Sequence, residues 1–271
     1  APMARSGNKP IDGGNYLFTE DEMIEFIKNE PKSEKYFKKW LGAEEFINNK
    51  TRYCLWLGDC SPNELLNMPE CLKRVQAVRD FRLASKSEGT RKIADKPTRF
   101  HVEACPQKTF LVLPLTSSER RKYVPIGFLK PDTLASNLVV VVSDADLWHF
   151  GVITSNVFMS WMRAVCGRLK SDYRITKDNV YNNFPWCNPT EEQKAKIEKT
   201  AQAILDARAK YPDCSLAQLY GENAFLFPEL VKAHQANDRA VMEAYGFAKD
   251  INESEIVAEL FKMYEKLVGG K

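Results

Sequence analysis

The chain has 271 residues, 44% hydrophobic and 28% charged, with a formal net charge of +3; this is globular composition, enough for one large domain or two ordinary ones. No stretch approaches the roughly 18–20 uninterrupted apolar residues of a spanning helix, and the opening APMARSGNKPIDGGN has no apolar signal-peptide core, so a cytoplasmic protein with no membrane partner is expected. Seven cysteines, an odd number with no Cys-x-x-Cys among them, read as reduced thiols; Cys54, Cys60, His101 and Cys105 match no familiar zinc spacing.

Residues 1–14 read as a linker or expression remnant, with Gly and Pro through Gly7–Asn15. Thr19 followed by Glu22 is a capping box opening a helix with Met23, Phe26 and Ile27 on one face, and Gly42 reads as the stop of the next helix. TRYCLWL (51–57) is β-rich. Ser61-Pro62-Asn63-Glu64 combines an N-cap, a first-turn proline and a reaching carboxylate. The segment from Cys71 to about Ser87 continues helically with Leu72, Val75 and Val78 inward. Between 109 and 142, TFLVLPL, KYVPIGFL and NLVVVV are short strands separated by turn formers, with Pro114 and Pro125 pushing two of them to sheet edges or strand ends. FGVITSNVFMSWMRAVCG reads as a helix, Val157, Trp161 and Val165 recurring every four residues and Gly167 standing where a left-handed stop belongs. If the chain then runs extended, alternation puts Arg168, Lys170, Asp172 and Arg174 on one side. Thr190 with Gln193 caps a helix to about Lys210, another ends at Gly246, and Asn252 with Glu255 caps a third, suggesting a small bundle. The fold class is therefore α+β: a mixed α/β domain with short strands and several helices at 15–187, then a small all-α helical domain at 188–271.

Charge is unevenly distributed. From Asn188 onward there are 11 Lys and Arg against 14 Asp and Glu, leaving 28 against 22 before it. Residues 72–99 alone hold nine basic and three acidic side chains, a footprint suited to a polyanion or, equally, to a solvated helix face. A P-loop, a Gly-x-Ser-x-Gly elbow, a His-Glu-x-x-His helix, a Gly-rich cofactor turn and an Asn/Asp-Pro-Pro-aromatic loop are all missing. His101, His149 and His234 stand apart in structural roles, so no catalytic residue, no metal and no cofactor are expected in this chain.

Three runs carry a family resemblance. HFGVITSNVFMSWMRAVCGRLKSDYRITKDNVYNNFPWC resembles the target-recognition domain of the MmeI-like family, the long type II restriction–modification enzymes and their class I DNA methyltransferase relatives. DGGNYLFTEDEMIEFI with KYFKKWLGAEEFINNKTRYCLWL is similar to the start of that domain, and LAQLYGENAFLFPELVKAHQANDRAVMEAYGF to the helical tail behind it. The similarity runs from about Gly7 to Leu267, departing at Ile175, where an aromatic is common, and at Cys187, where a proline is. It implies a C-terminal piece of a larger adenine-N6 DNA methyltransferase, with S-adenosylmethionine and catalysis in an upstream methyltransferase domain of the same parent chain, and double-stranded DNA as the partner.

By that resemblance Lys170 and Asp172 read one base pair and Arg174 helps with another. Their chemistry agrees: Lys donates to guanine O6 and N7, and a carboxylate accepts from cytosine N4. Lys73, Arg74, Arg79, Arg82, Lys86, Arg91, Lys92 and Arg168 are the candidate phosphate contacts. Tyr181, Phe184 and Trp186 read as core rather than base-stacking platforms, and Asn182 and Asn183 as either backbone bridges or adenine readers. A protein-interaction scaffold and an RNA-binding module are the alternatives, separable from a duplex reader by salt dependence and strand preference.

Overall fold

A computed structural model describes residues 1–269. Strands β1 (Ala4–Ser6) and β2 (Leu17–Phe18) precede α1 (Glu20–Asn29), whose Thr19–Glu22 capping box forms in both directions. A 3-10 turn at Pro31–Tyr36 leads to β3 (Phe37–Leu41), α2 (Ala43–Asn48), β4 (Arg52–Leu55) and α3 (Pro62–Leu66), the last opened by Ser61 with Glu64. Next come α4 (Pro69–Leu83), α5 (Glu88–Arg91), β5 (Phe110–Pro114), β6 (Thr116–Ser117), β7 (Gly127–Leu129), β8 (Thr133–Ala135) and β9 (Val139–Val142). Helices α6 (Leu147–Ile153) and α7 (Asn156–Val165) and strands β10 (Gly167–Leu169) and β11 (Asp172–Arg174) follow. A π-helical turn at Lys177–Tyr181 leads to α8 (Glu191–Ala209), α9 (Leu216–Leu219), α10 (Pro228–Tyr245) and α11 (Glu253–Gly269). The class is α+β, as the sequence indicates.

Two four-stranded sheets and one three-stranded sheet organise these elements: β1-β9-β5-β7, β2-β4-β3-β8 and β10-β11-β6. Among the described residues β3–β8 is the one parallel strand pair, beside an isolated parallel bridge between Asn8 and Ser136. The Val139–Val142 run is buried on both faces because alternate residues enter different cores: Val140 and Val142 face the large one, Val139 and Val141 a small one closed by Ala43 and Phe46 of α2. β5 divides in the same way, Leu111 and Leu113 against Phe110 and Val112. A separate aromatic core, Tyr16, Phe18, Trp40, Trp56 and Phe100, lies under α4 in the first lobe.

Several local readings need correction. Residues 1–14 are not a linker: β1 pairs with β9, and a Cβ on Gly7 would fall 2.1 Å from the Ser136 carbonyl oxygen, so backbone packs on backbone there. Gly42 opens α2 rather than ending a helix, and the KYFKKWL stretch before it is largely strand, its Trp40 buried in the first lobe. The long helix expected across 150–167 is two helices, broken at Thr154-Ser155, where Thr154 bonds back to the Phe150 carbonyl and Ser155 caps α7. Gly167 begins β10 instead of capping a helix. Leu72 is exposed although Val75 and Val78 are buried, and α4 stops at Leu83.

The helical tail is not a self-contained bundle. α8 and α10 pack together, but α8 also lies on α6, and α11 packs on α7. The large core runs without interruption from β5 and β9 through Phe150 and Trp161 to Ile197, Ala201, Ile204, Val241 and Leu260. Gly151 lets α6 and α8 approach closely: a Cβ there would meet Ile197 Cγ2 at 2.6 Å. Across the same seam Asn237 Nδ2 donates to the Gly151 carbonyl at 2.7 Å, and Asp238 accepts from the first amide of α7 at 2.8 Å and from Tyr123 Oη at 2.6 Å. The QANDRAV segment is therefore helix packing.

Candidate nucleic-acid interface

The GRLKSDYR segment folds into a tight hairpin. β10 and β11 pair Gly167 with Arg174, Arg168 with Tyr173 and Leu169 with Asp172, leaving Lys170-Ser171 as a two-residue turn. Such turns favour positive φ at their first position, usually supplied by Gly or Asn; here Lys170 takes φ +56° itself. The hairpin's second strand, β11, is central in its sheet and is held on its other side by β6, with Tyr173 opposite Ser117 and Arg174 opposite Thr116.

This turn corrects the straight strand expected from the sequence. Directly paired residues of an antiparallel ladder share a face, so Leu169, Asp172 and Arg174 lie on one face and Arg168 with Tyr173 on the other. Lys170 lies exposed at the tip. Arg168 stacks 4.3 Å over the Tyr173 ring, donates to the Ser171 carbonyl at 2.8 Å and pairs with Glu119 at 3.4 Å. Its guanidinium braces the hairpin. Arg174 is half-buried and donates to Thr116 Oγ1 at 3.3 Å. The charged positions thus divide into an exposed cation at the tip, a half-buried carboxylate behind it and two arginines tied into the scaffold.

Sequence reasoning missed the loop after β6. Glu119, Arg120 and Arg121 reach the hairpin from it, and with Ser171, Asp172 and Glu222 they line a cavity of about 330 Å³. Arg120 pairs with Glu222 of the helical tail at 2.5 Å. Burial lowers the pKa of Arg121, an effect that the Asp172 carboxylate opposes. The sequence signal is four charged residues in a row, Glu119 to Lys122, between the apolar runs FLVLPL and YVPIGFL.

The basic segment 72–99 is heterogeneous. Arg82, a candidate phosphate contact, is fully buried: Nε donates to the Ile11 carbonyl, Nη1 to those of Ile93 and Lys96, and Nη2 to those of Pro10 and Arg99, all within 2.8–2.9 Å. All five guanidinium N–H groups are used, so Arg82 cannot reach a phosphate; it pins two loops to α4. Arg74 is half-buried, 4.9 Å over the Phe18 ring and 5.7 Å over that of Phe26. Arg91 donates to the carbonyls of Ser85 and Lys86 near the end of α4. Lys73 and Lys92 are exposed but paired, with Glu70 at 2.6 Å and Glu88 at 2.8 Å. Arg79 and Lys86 are exposed. Surface pairs of this kind contribute under about 1 kcal/mol and exchange readily for another anion.

Of the other candidates, Tyr181 and Phe184 are in the large core and Trp186 packs against it, Tyr181 at 5.6 Å and Phe184 at 5.3 Å from its ring. Asn182 clamps the Ala4 backbone, accepting from its N–H at 2.9 Å and donating to its carbonyl at 3.3 Å. Asn183 is exposed. No helix is long and apolar enough to cross a membrane, among the described residues.

Comparison with known proteins bears on this surface. The target recognition domain profile of MmeI matches residues 1–188, and the MmeI C-terminal domain profile matches 189–270. DNA methyltransferase A of Bacillus subtilis (strain 168) is 36% identical over 266 residues, covering 98% of this chain and 30% of that protein. The type IIL restriction-modification enzyme MmeI, solved in complex with DNA, superposes with a TM-score of 0.96 at 44% identity, over 99% of this chain and 36% of that one. The chain therefore spans about a third of the length of these relatives.

Proposed function

Because the chain belongs to the MmeI family, its two parts being the target recognition and C-terminal domains, we propose that it provides sequence-specific recognition of double-stranded DNA to a site-specific adenine-N6 methyltransferase of the restriction–modification type. The observation that carries this is the hairpin: a two-stranded ribbon is one of the shapes a major groove admits, and this one presents Lys170 at its tip and the Asp172 carboxylate behind. In the reading proposed, Lys170 donates to guanine O6 or N7 and Asp172 accepts from the amino group of the paired cytosine. Arg174, on the Asp172 face, reaches toward a neighbouring pair. Arg79, Lys86, Arg91 and Lys92 supply sequence-independent phosphate contacts, which fix register without carrying information. S-adenosylmethionine binding and methyl transfer reside in the rest of the parent protein, against which this chain docks, and the whole works in the cytoplasm.

The test is a reversal of chemistry. Lys170→Glu with Asp172→Arg exchanges acceptor and donor between strands, so the full-length protein should change its preference at one position from guanine to cytosine. The readout is methylation of a duplex library randomised at every position of the recognition site. Unchanged preference at all positions would make Lys170 and Asp172 surface charges only.

A further inference from the structure

Three of the five charged side chains lining the cavity beside the hairpin, Glu119, Arg120 and Glu222, are already in ion pairs, and two are not. Arg120 is engaged by Glu222, and Glu119 by Arg168. Among the described residues, that leaves Arg121 and Asp172 as the oppositely charged groups of this cavity without an ion pair. Arg121 Nε is buried and lacks a hydrogen-bond partner. A buried unsatisfied donor is unfavourable, and more so when charged; an acceptor brought near it is favoured. Of the carboxylates lining the same cavity, Asp172 is the one without an ion pair among the described residues, and it adjoins the turn that would enter the groove.

We infer that Arg121 is the positioning residue for Asp172: its guanidinium, which lines the same cavity, orients the carboxylate so that one oxygen faces a base amino group. The logic is that of an outer-shell partner, which fixes the orientation of a recognition group without touching the ligand. It rests on Asp172 reading a base, as proposed above. The Coulombic influence of Asp172 on Arg121, opposing the effect of burial, agrees with this placement.

The experiment compares Arg121→Met, Arg121→Lys, Asp172→Ala and the double variant Arg121→Met/Asp172→Ala in the full-length protein, each measured for base preference across the randomised duplex library and for the salt dependence of binding. Loss of the Asp172 contact should lower discrimination at its base pair by about 5- to 150-fold. Arg121→Met should lower it at that pair alone, leave the salt slope unchanged, and add nothing to Asp172→Ala in the double variant. Arg121→Lys, which keeps the charge and most of the volume, should recover part of the discrimination, and its thermal unfolding verifies the fold. A uniform loss across all sequences with a salt slope lower by about one would make Arg121 a phosphate contact and overturn the inference. So would full discrimination in Arg121→Met where Asp172→Ala has lost it. If Asp172→Ala itself leaves every position unchanged, the base-reading assignment falls first and this inference with it.

Discussion

Lys170→Gly should weaken recognition while leaving the fold as stable as before, or more so. Lys170 holds φ +56° at the first position of a two-residue turn, a region costing an L-residue about 1–2 kcal/mol and glycine almost nothing. Glycine's greater freedom in the unfolded chain returns about 0.4–1 kcal/mol of that gain. The net change in folding stability therefore lies between about zero and about +1.6 kcal/mol, a rise of at most about 6 °C in Tm for a domain of this size. Recognition moves the other way: losing a direct guanine contact removes about 1–3 kcal/mol of discrimination, or roughly 5- to 150-fold at one base pair. Thermal unfolding of the chain and competition binding of the full-length protein to duplexes differing at single positions measure the two quantities separately. A variant that unfolds several degrees earlier would refute the strain argument, and one that keeps its full preference at every position would refute the assignment of Lys170.

Other consequences are equally direct. Replacing Arg91 and Lys92 by Ala should weaken binding to all duplexes alike and flatten the log–log salt slope by about one to two units; a loss confined to one sequence in the same titration would show that they read bases. Arg82→Met strands five backbone carbonyls and should remove more than about 4 kcal/mol of stability in urea unfolding, whereas a change under about 1 kcal/mol would contradict its structural role. His234 is buried between Tyr123, whose ring stacks at 4.1 Å, and Tyr220, whose hydroxyl is 2.7 Å from Nε2. Burial first, then Arg208 and Lys122, hold its pKa well below the ordinary value. The unfolded chain then takes up a proton below pH about 6.5 that the folded chain refuses, so stability present at neutral pH is lost on acidification, by about 2 kcal/mol between pH 7 and 5. Urea unfolding at the two pH values should show a fall in wild type larger by about that amount than in His234→Gln; equal falls would refute it.

What was legible in the sequence was local. Thr19, Ser61, Thr190 and Asn252 cap helices because a hydroxyl or amide and a carboxylate or amide three residues on satisfy one another within the segment. Glycine carried no such certainty: Gly246 ends its helix at φ +71°, while Gly42 and Gly167 do not. The difference lies in what packs around them. The Lys170-Ser171 turn lacks the Gly or Asn that marks a hairpin, so a straight strand was the natural reading. Arg82 looks like its neighbours in sequence, and only the two loops folded over it decide that its charge is internal. For the candidate site, the identities of Lys170, Asp172 and Arg174 were visible in the run that carries the resemblance; the Arg121 cavity was not, because its walls come from segments about 50 to 100 residues away.

The Gly151–Ile197 contact and the Asn237 and Asp238 bonds bear on how new specificities can be made by grafting. A cut between residues 187 and 188, where the sequence changes character, would strip α8, α10 and α11 from a shared hydrophobic interior, expose Phe150 and Trp161, and leave the first turn of α7 without its acceptor. The transplantable piece is thus the recognition surface together with its helical buttress, and a chimera that exchanges only the former inherits an interface matched to another protein's helices.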